Sequence, residues 1–443
     1  MNNKYYFAVK SVINSLTCID PTIEKYLFKD YQIRNMNILL VNPEFPIPPK
    51  SKNHQNFLPI PLLKIACYHK SNGNKVFIAR GNLSKEELEA KMGFKRPDWI
   101  GITSLFTYWS KYVKDSVQHY RTFFPKTKIS VGGIYATLMP EHCKEHTGCD
   151  EIIKGTIPEV EEFAVNNKLD YNLLENPHPI DYQIIHASRG CLRKCNFCGT
   201  WKIEPKTKFK KSIKNEICRS KLIFYDNNLL MNPNIEELLK EVANTRYEGK
   251  YIICESQSGF DGRILLQKPH LAKLIKNARF QNVRIAWDWH YSEYKQIKKQ
   301  IDILVDAGYN SKDLYVFMIY NSEIPFKEME KKRMECWKWK VQISDCRFRP
   351  LEQTFDNYNP RRKQTNEDYY IHPKWTDEEV KQFRKNVRRQ NICVRMGLPF
   401  YSKKLEQKRI DKIKAKKLRE IPFKKARKLL SDIWIPNKIS YTN

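Results

Sequence analysis

The chain has 443 residues and a mass of 52.9 kDa, room for two or three domains of roughly 100–200 residues each. Hydrophobic residues at 41% and aromatics at 12% can fill real cores, which excludes wholesale disorder, and no apolar run nears the ~20 residues needed to span a bilayer. Lys+Arg at 79 against Asp+Glu at 49 leave a formal charge of +30, which favours an anionic partner or an acidic substrate. The first thirty residues carry no secretion pattern, so a soluble chain that meets no membrane is expected.

Residues 1–35 read as a weakly amphipathic lead-in. Met36–Val41 (MNILLV) is then a short apolar strand ending at Asn42-Pro43, followed by a loop, Pro43–Pro61, with six prolines. Leu62–His69 is expected helical and Lys75–Ala79 (KVFIA) extended. Trp99–Thr103 (WIGIT) precedes a helical stretch near Lys111–Phe124. Lys128–Val131 (KISV) runs into Gly132-Gly133, and Glu151–Lys154 (EIIK) into Gly155. Short apolar strands alternating with helices predict a doubly wound parallel sheet over 36–163, with its ligand site beyond the carboxyl ends of the strands.

Residues 164–182 read as a linker. A second alternation follows, with apolar runs at Tyr182–Ala187, Lys221–Tyr225, Tyr251–Cys254, Val283–Trp287, Leu314–Tyr320 and Trp339–Ile343. Helical stretches such as Ile235–Ala243, His270–Lys276 and Tyr294–Ala307 separate them. Six such units with right-handed crossovers predict a partial (β/α)6 barrel over 182–350. Polar residues stand at its strand ends: Asp226-Asn227-Asn228, Glu255 to Gln257, Asp288, Asn321, and Arg347 with Arg349. In barrels that rim carries the chemistry, although single polar residues there also cap and turn.

Beyond Pro350 a basic extension is expected over 351–443. Thr376–Glu379 has capping-box spacing. Tyr401–Leu430 holds thirteen Lys/Arg against three Asp/Glu, read as a basic helix interrupted by Pro422. With Arg384, Lys385, Arg388 and Arg389 upstream and Phe383, Phe400, Tyr401, Phe423 and Trp434 nearby, it could bind nucleic acid; a solvated helix is the plainer reading.

Twelve cysteines are too dilute for a disulfide scaffold, which points to the cytoplasm. Cys18, Cys67, Cys143, Cys149, Cys218, Cys254, Cys336, Cys346 and Cys393 are scattered and read as buried small hydrophobes. The other three lie within Ser188-Arg189-Gly190-Cys191-Leu192-Arg193-Lys194-Cys195-Asn196-Phe197-Cys198-Gly199. Thiolates at C-x3-C-x2-C spacing on one loop suit a single soft-metal centre or cluster. A structural zinc takes four protein ligands, whereas three leave a coordination site open. The basic neighbours Arg189, Arg193 and Lys194 are expected to lower the thiol pKa values. A nucleic-acid-binding protein with a structural metal site and no catalysis is the alternative that charge and tail suggest.

With Phe197 before its last cysteine, this segment resembles the signature of the radical SAM enzymes, and the resemblance extends over 182–350. It implies that Cys191, Cys195 and Cys198 hold a [4Fe–4S] cluster whose open iron binds S-adenosylmethionine (SAM). Reductive cleavage then gives a 5′-deoxyadenosyl radical for hydrogen abstraction or methyl transfer on a substrate the sequence does not name. An electron donor such as flavodoxin or ferredoxin is implied as partner. The backbone at Phe197 is expected against adenine. Where the family has a Gly-Gly-Glu-like stretch for the methionyl amine, this chain has Asp226-Asn227-Asn228, so Asp226 and Asn228 are the candidates. Glu255, Gln257 and Arg284 are candidates for ribose and carboxylate, and Arg347 and Arg349 for SAM carboxylate or substrate.

Residues 36–160 resemble the cobalamin-binding-type domain that precedes many radical SAM domains. The supporting residues are Val41-Asn42-Pro43, Ile100–Ser104, Val131-Gly132-Gly133 and Gly155 to Glu159. The resemblance adds cobalamin as a cofactor, but the D-x-H-x-x-G motif that supplies a histidine to cobalt is absent. His142 and His146 read as an ordinary solvated helix face.

Overall fold

Apolar runs of the first unit pair as parallel strands because helices cover both faces of their sheet. The computed structural model describes residues 35–47, 58–174 and 180–397. The chain divides into two units, Met1–His178 and Pro179–Asn443. In the first, β1 (Asn37–Asn42), β2 (Lys75–Arg80), β3 (Trp99–Ser104), β4 (Lys128–Gly133) and β5 (Glu151–Ile153) form one sheet in the order β2-β1-β3-β4-β5, and every pairing is parallel. Ile38 to Val41 and Ile100 to Ser104 are buried without alternation, as a strand covered on both faces requires. Helices Ile60–Ser71, Ser110–Phe123 and Pro140–Thr147 supply cover, and Val113, Val117 and Tyr120 join Leu39, Val41, Ile100 and Ile129 in the core.

The order reverses between β1 and β3, so the crevice of this sheet lies beyond their carboxyl ends. Beside it, Gly133 has φ +103°, and a Cβ there would stand 2.2 Å from the Ser104 carbonyl oxygen, a contact only glycine permits. The Ser104 hydroxyl donates to Gly132 O at 2.8 Å and accepts from the Ala136 amide at 3.1 Å, fixing the turn after β4. At the opposite end of the sheet, Asn74 donates to the His69 ring (3.0 Å) and accepts from the Met36 amide (2.9 Å).

The second unit is a run of parallel strands in chain order. Gln183–Ile185, Lys221–Phe224, Ile253–Ser256 and Phe280–Gln281 make one ladder, and Arg284–Ala286, Tyr315–Tyr320 and Gln342–Arg347 the next. Positive φ at Arg279 and Asn282 bends the fourth strand, so its first half pairs with Ile253–Ser256 and its second with Tyr315–Tyr320. The two ladders are therefore consecutive arcs of one α/β succession. Along Tyr315–Tyr320, Val316, Met318 and Tyr320 are buried, whereas Tyr315, Phe317 and Ile319, on the other face, are half-buried.

Two expectations are corrected here. The sixth strand is Gln342–Arg347, because Trp339 caps helix Phe326–Lys338 and Lys340 turns at φ +56°. Residues 351–397, expected as the start of a separate basic extension, belong to the second unit's core. Tyr369, Trp375, Val380, Phe383 and Val387 are buried in it. Helix Asp377–Arg395 opens on the expected capping box, with Thr376 and Glu379 reciprocally bonded. The Asn391 side chain donates to Ile343 O (2.7 Å) and accepts from Ile343 N (2.8 Å), satisfying the open edge of the last strand. Gln390 and the buried Arg333 exchange hydrogen bonds, joining this helix to Phe326–Lys338. The basic run Tyr401–Leu430, residues 1–34 and most of the proline-rich loop lie outside the described residues. Among the described residues no helix is long and apolar enough to cross a membrane.

Replacing fully buried Phe383 by alanine should cost the second unit about 3–5 kcal/mol, measured by denaturant unfolding. A surface-level loss would show that the helix is merely appended. In the first unit, burial pushes His69 down to about 4. The stability this neutral imidazole gives is complete above its ordinary pKa and drains away as pH falls from about 6.5 towards 4. Unfolding curves of wild type and His69→Gln should therefore converge across that window.

Candidate metal centre

The segment from Gly190 to Gly199 has almost no regular structure, so side chains around it dictate its course. Asp226, just after the second unit's strand Lys221–Phe224, is 0% exposed and accepts from the backbone amides of Ala187 and Ser188. Burial pushes its carboxyl up to about 7 even though those amides and Lys210 favour the charge. Glu204 takes the Gly190 amide at 2.7 Å, the Arg189 guanidinium and the Asn227 side chain at 3.2 Å. Gly190 itself has φ +74°, and a Cβ there would meet Lys206 O at 2.8 Å. Trp201 Nε1 donates to Cys195 O at 3.1 Å, which pins the middle of the loop.

Asp261 gathers the next rim. It caps helix Gly262–Gln267 and accepts from Arg193 Nε (3.1 Å), Arg263 Nε (2.8 Å) and Asn228 Nδ2 (3.2 Å). Burial opposes its charge, but Arg263 and Arg193 outweigh that and hold the carboxyl below its ordinary value. One carboxylate thus ties the cysteine loop to the ends of the second and third strands.

Cys191, Cys195 and Cys198 are free and partly exposed. The Arg193 amide points at Cys191 Sγ (3.3 Å), and Cys198 Sγ lies 3.2 Å from Thr200 Oγ1. Burial raises the Cys195 thiol, and the neighbouring Cys198, Asp288 and Cys191 add to it against Arg263. The expected lowering by Arg189, Arg193 and Lys194 is not what shifts this thiol: Arg189 is paired with Glu204 and Arg193 with Asp261. Among the described residues no group of three or more His, Cys, Asp or Glu side chains, this triad included, stands close enough together to hold a metal ion. The thiols share one loop, and Cys195 feels both Cys198 and Cys191 electrostatically. That donor set fits a centre held by three thiolates with one place left open.

The remaining candidates divide. Phe197 stands against Trp289, ring centroids 6.0 Å apart, at the mouth of the loop. Asn228 is 6% exposed, and its Oδ1 is buried without a hydrogen-bond partner. Asp226 is corrected: both carboxylate oxygens serve the backbone entering the loop, so it braces and has no free face for an ammonium. Glu255 pairs with Arg284 and Asn282, while Arg284 also donates to Ser256 O at 2.9 Å. Gln257 is half-buried, its amide on Phe224 O. Arg347 and Arg349 both grip Asp356. Burial disfavours that carboxylate's charge, yet the two guanidiniums hold it below its ordinary value, the ion-pair arrangement.

Sequence reasoning missed the braces. Glu204, Trp201 and Lys332 carry no motif; Asp261 shows only as an Asp-Gly before a helical run. Lys332 is 0% exposed and donates to Trp287 O (2.7 Å) and Trp289 O (2.8 Å), holding Asp288 between them at the rim. Desolvation pushes Lys332 down to about 8 and Asp288 up to about 6. Cys346, read as a buried hydrophobe, is instead exposed beside Ile319 of the neighbouring strand, with protein close enough to raise its thiol by desolvation.

Comparison with known proteins bears on the first unit. Residues 53–163 match the B12 binding domain family model. The N-terminal unit carries a B12-binding-type domain. Among solved structures the chain is similar to the cobalamin-dependent S-adenosylmethionine radical enzyme OxsB. In its apo, selenomethionine-labelled form the identity is 12% and the TM-score 0.44; with aqua-cobalamin bound they are 13% and 0.44. With aqua-cobalamin and S-adenosylmethionine bound they are 12% and 0.42. Each alignment covers 82% of this chain and 57% of the other, so the chain spans little more than half the length of those proteins. No curated protein matches it in sequence.

Asp226→Ala should strip two buried amides of their acceptor and cost about 2–4 kcal/mol. Iron uptake on anaerobic reconstitution should fall with it. Full iron loading in a normally stable variant would show that the loop holds its course without this brace.

Proposed function

We propose that the protein is a radical SAM iron–sulfur enzyme of the type preceded by a cobalamin-binding domain, acting by hydrogen abstraction or methyl transfer. The observation that carries the reading is the cysteine loop. Three free, partly exposed thiols lie on one segment, at the carboxyl end of the first strand of a six-step parallel α/β succession, where barrels place their chemistry. The B12-type match over 53–163 supports the same reading independently.

In this reading Cys191, Cys195 and Cys198 hold a [4Fe–4S] cluster, which supplies one electron to the sulfonium of SAM. The chain's own residues prepare the place. Asp226, Glu204 and Trp201 brace the loop, which would lower the ordering cost of assembling the cluster. The unpartnered Oδ1 of Asn228 is an acceptor for the methionyl ammonium, the role expected of Asp226. Phe197 and Trp289 offer an apolar wall for a base. Asp288, whose carboxylate makes no hydrogen bond among the described residues, is an acceptor for hydroxyl or amine. The half-buried face of Tyr315, Phe317 and Ile319 would limit water near a reactive intermediate. Cobalamin belongs to the N-terminal domain. A cytoplasmic setting and an acidic donor such as flavodoxin or ferredoxin fit the cysteine usage and the +30 charge.

Anaerobic reconstitution should give about four iron per chain, visible absorbance, and 5′-deoxyadenosine from SAM with dithionite. Cys191→Ala, Cys195→Ala and Cys198→Ala should each abolish all three while leaving the B12-type domain folded. Colourless, zinc-loaded wild-type protein would end this reading.

A further inference from the structure

We propose that the Thr200 hydroxyl tunes the reduction potential of the cluster through Cys198, and that Asn227 competes with the sulfur for its single hydrogen. The inference rests on the cluster reading above. Thr200 opens the short helix Thr200–Ile203, directly after the last cysteine of the triad. Its carbonyl accepts from the Glu204 amide at 2.7 Å, and the next side chain, Trp201, is pinned to Cys195 O. The turn that carries the hydroxyl is therefore tied down. The Thr200 oxygen lies 3.2 Å from Cys198 Sγ and 3.2 Å from Asn227 Oδ1. Among the described residues no other side chain hydrogen-bonds a sulfur of the triad; Cys191 meets only the backbone amide of Arg193.

Donors and acceptors decide which way the hydroxyl points. Glu204, paired with Arg189, only accepts. Its Oε2 takes the Gly190 amide at 2.7 Å and Asn227 Nδ2 at 3.2 Å, so the Asn227 amide turns its oxygen to Thr200. With Cys198 as a thiol every group is satisfied: the sulfur donates to Thr200, and Thr200 donates to Asn227. A sulfur bonded to iron has no proton and becomes an acceptor. The one hydroxyl hydrogen then faces two acceptors, Cys198 Sγ and Asn227 Oδ1. Donated to sulfur, it stabilises the negative charge added on reduction and raises the potential. Held by Asn227, it leaves an oxygen lone pair against the sulfur and lowers the potential. Thr200 and Asn227 are thus positioning residues with opposite effects. One electron enters from the reductant, and the hydrogen turns without leaving its oxygen.

The test is an anaerobic titration of the reconstituted full-length protein with dithionite, followed by electron paramagnetic resonance of the reduced cluster. Thr200→Val keeps the shape and removes the hydroxyl; it should disfavour reduction about tenfold, a fall of roughly 59 mV for one electron. Thr200→Ser keeps the hydroxyl and should titrate with the wild type. Asn227→Leu frees the hydrogen for the sulfur and should favour reduction severalfold. The double variant Thr200→Val/Asn227→Leu should titrate with Thr200→Val alone, because no hydroxyl is left to compete for. Thr200→Ala stands in if Thr200→Val takes up no iron, and if neither does, Asn227→Leu carries the test with the hydroxyl in place. An unchanged potential in Thr200→Val or Asn227→Leu, shifts of the same sign in both, or Thr200→Ser titrating with Thr200→Val overturns the inference and leaves the cluster reading standing. Wild-type protein that assembles no cluster removes both.

Discussion

A buried carboxylate beneath an irregular loop is the constraint on which the candidate centre depends. Asp226 is shut away from water and receives the amides of Ala187 and Ser188 just before the cysteines begin. Leaving either amide without an acceptor in that interior would cost as much as a lost buried hydrogen bond. Glu204 and Asp261 extend the same device, each meeting a backbone or guanidinium donor of the loop and a side chain from the second strand's end. Three carboxylates thus do the positioning that a regular element does elsewhere, and the cysteines are left to chemistry.

Charge near the thiols follows from this bracing. Arg189 and Arg193 are held by Glu204 and Asp261, so their field is largely compensated before it reaches sulfur. Cys195 instead feels burial, its fellow thiols and Asp288, and its proton is held more tightly for it. A cationic centre binding there would reverse that balance, because deprotonated sulfur is what soft metals bond. The net charge of the chain and the charge at the site are separate quantities.

Much of this was legible from the sequence, and the rest was hidden for definite reasons. Strands buried on both faces, such as Asn37–Asn42 and Trp99–Ser104, announce themselves as unbroken apolar runs. The cysteine spacing and the Thr376/Glu379 capping box are local patterns and can be read directly. The sixth strand was misplaced because Trp339 and Val341 look extended by composition, while the helix they end or follow is fixed by tertiary packing. Asp226 was located but its role was not, since spacing cannot say whether a carboxylate faces a ligand or the backbone beneath it. Glu204, Asp261 and Lys332 act across 14 to 68 residues of sequence, and no local signal marks such partners.

Helix Asp377–Arg395 reaches the last strand across a separation of 48 residues, through Asn391 and Ile343. On the ribosome, at roughly 5–20 residues per second, that strand emerges some 2–10 s before its cover. During the interval its outer edge and the apolar flank formed by Val341 and Ile343 lie bare to any other nascent chain. The long connection therefore sets a window of aggregation risk late in synthesis, and whatever shortens it, a chaperone or slower crowding of neighbouring chains, governs the yield of folded protein.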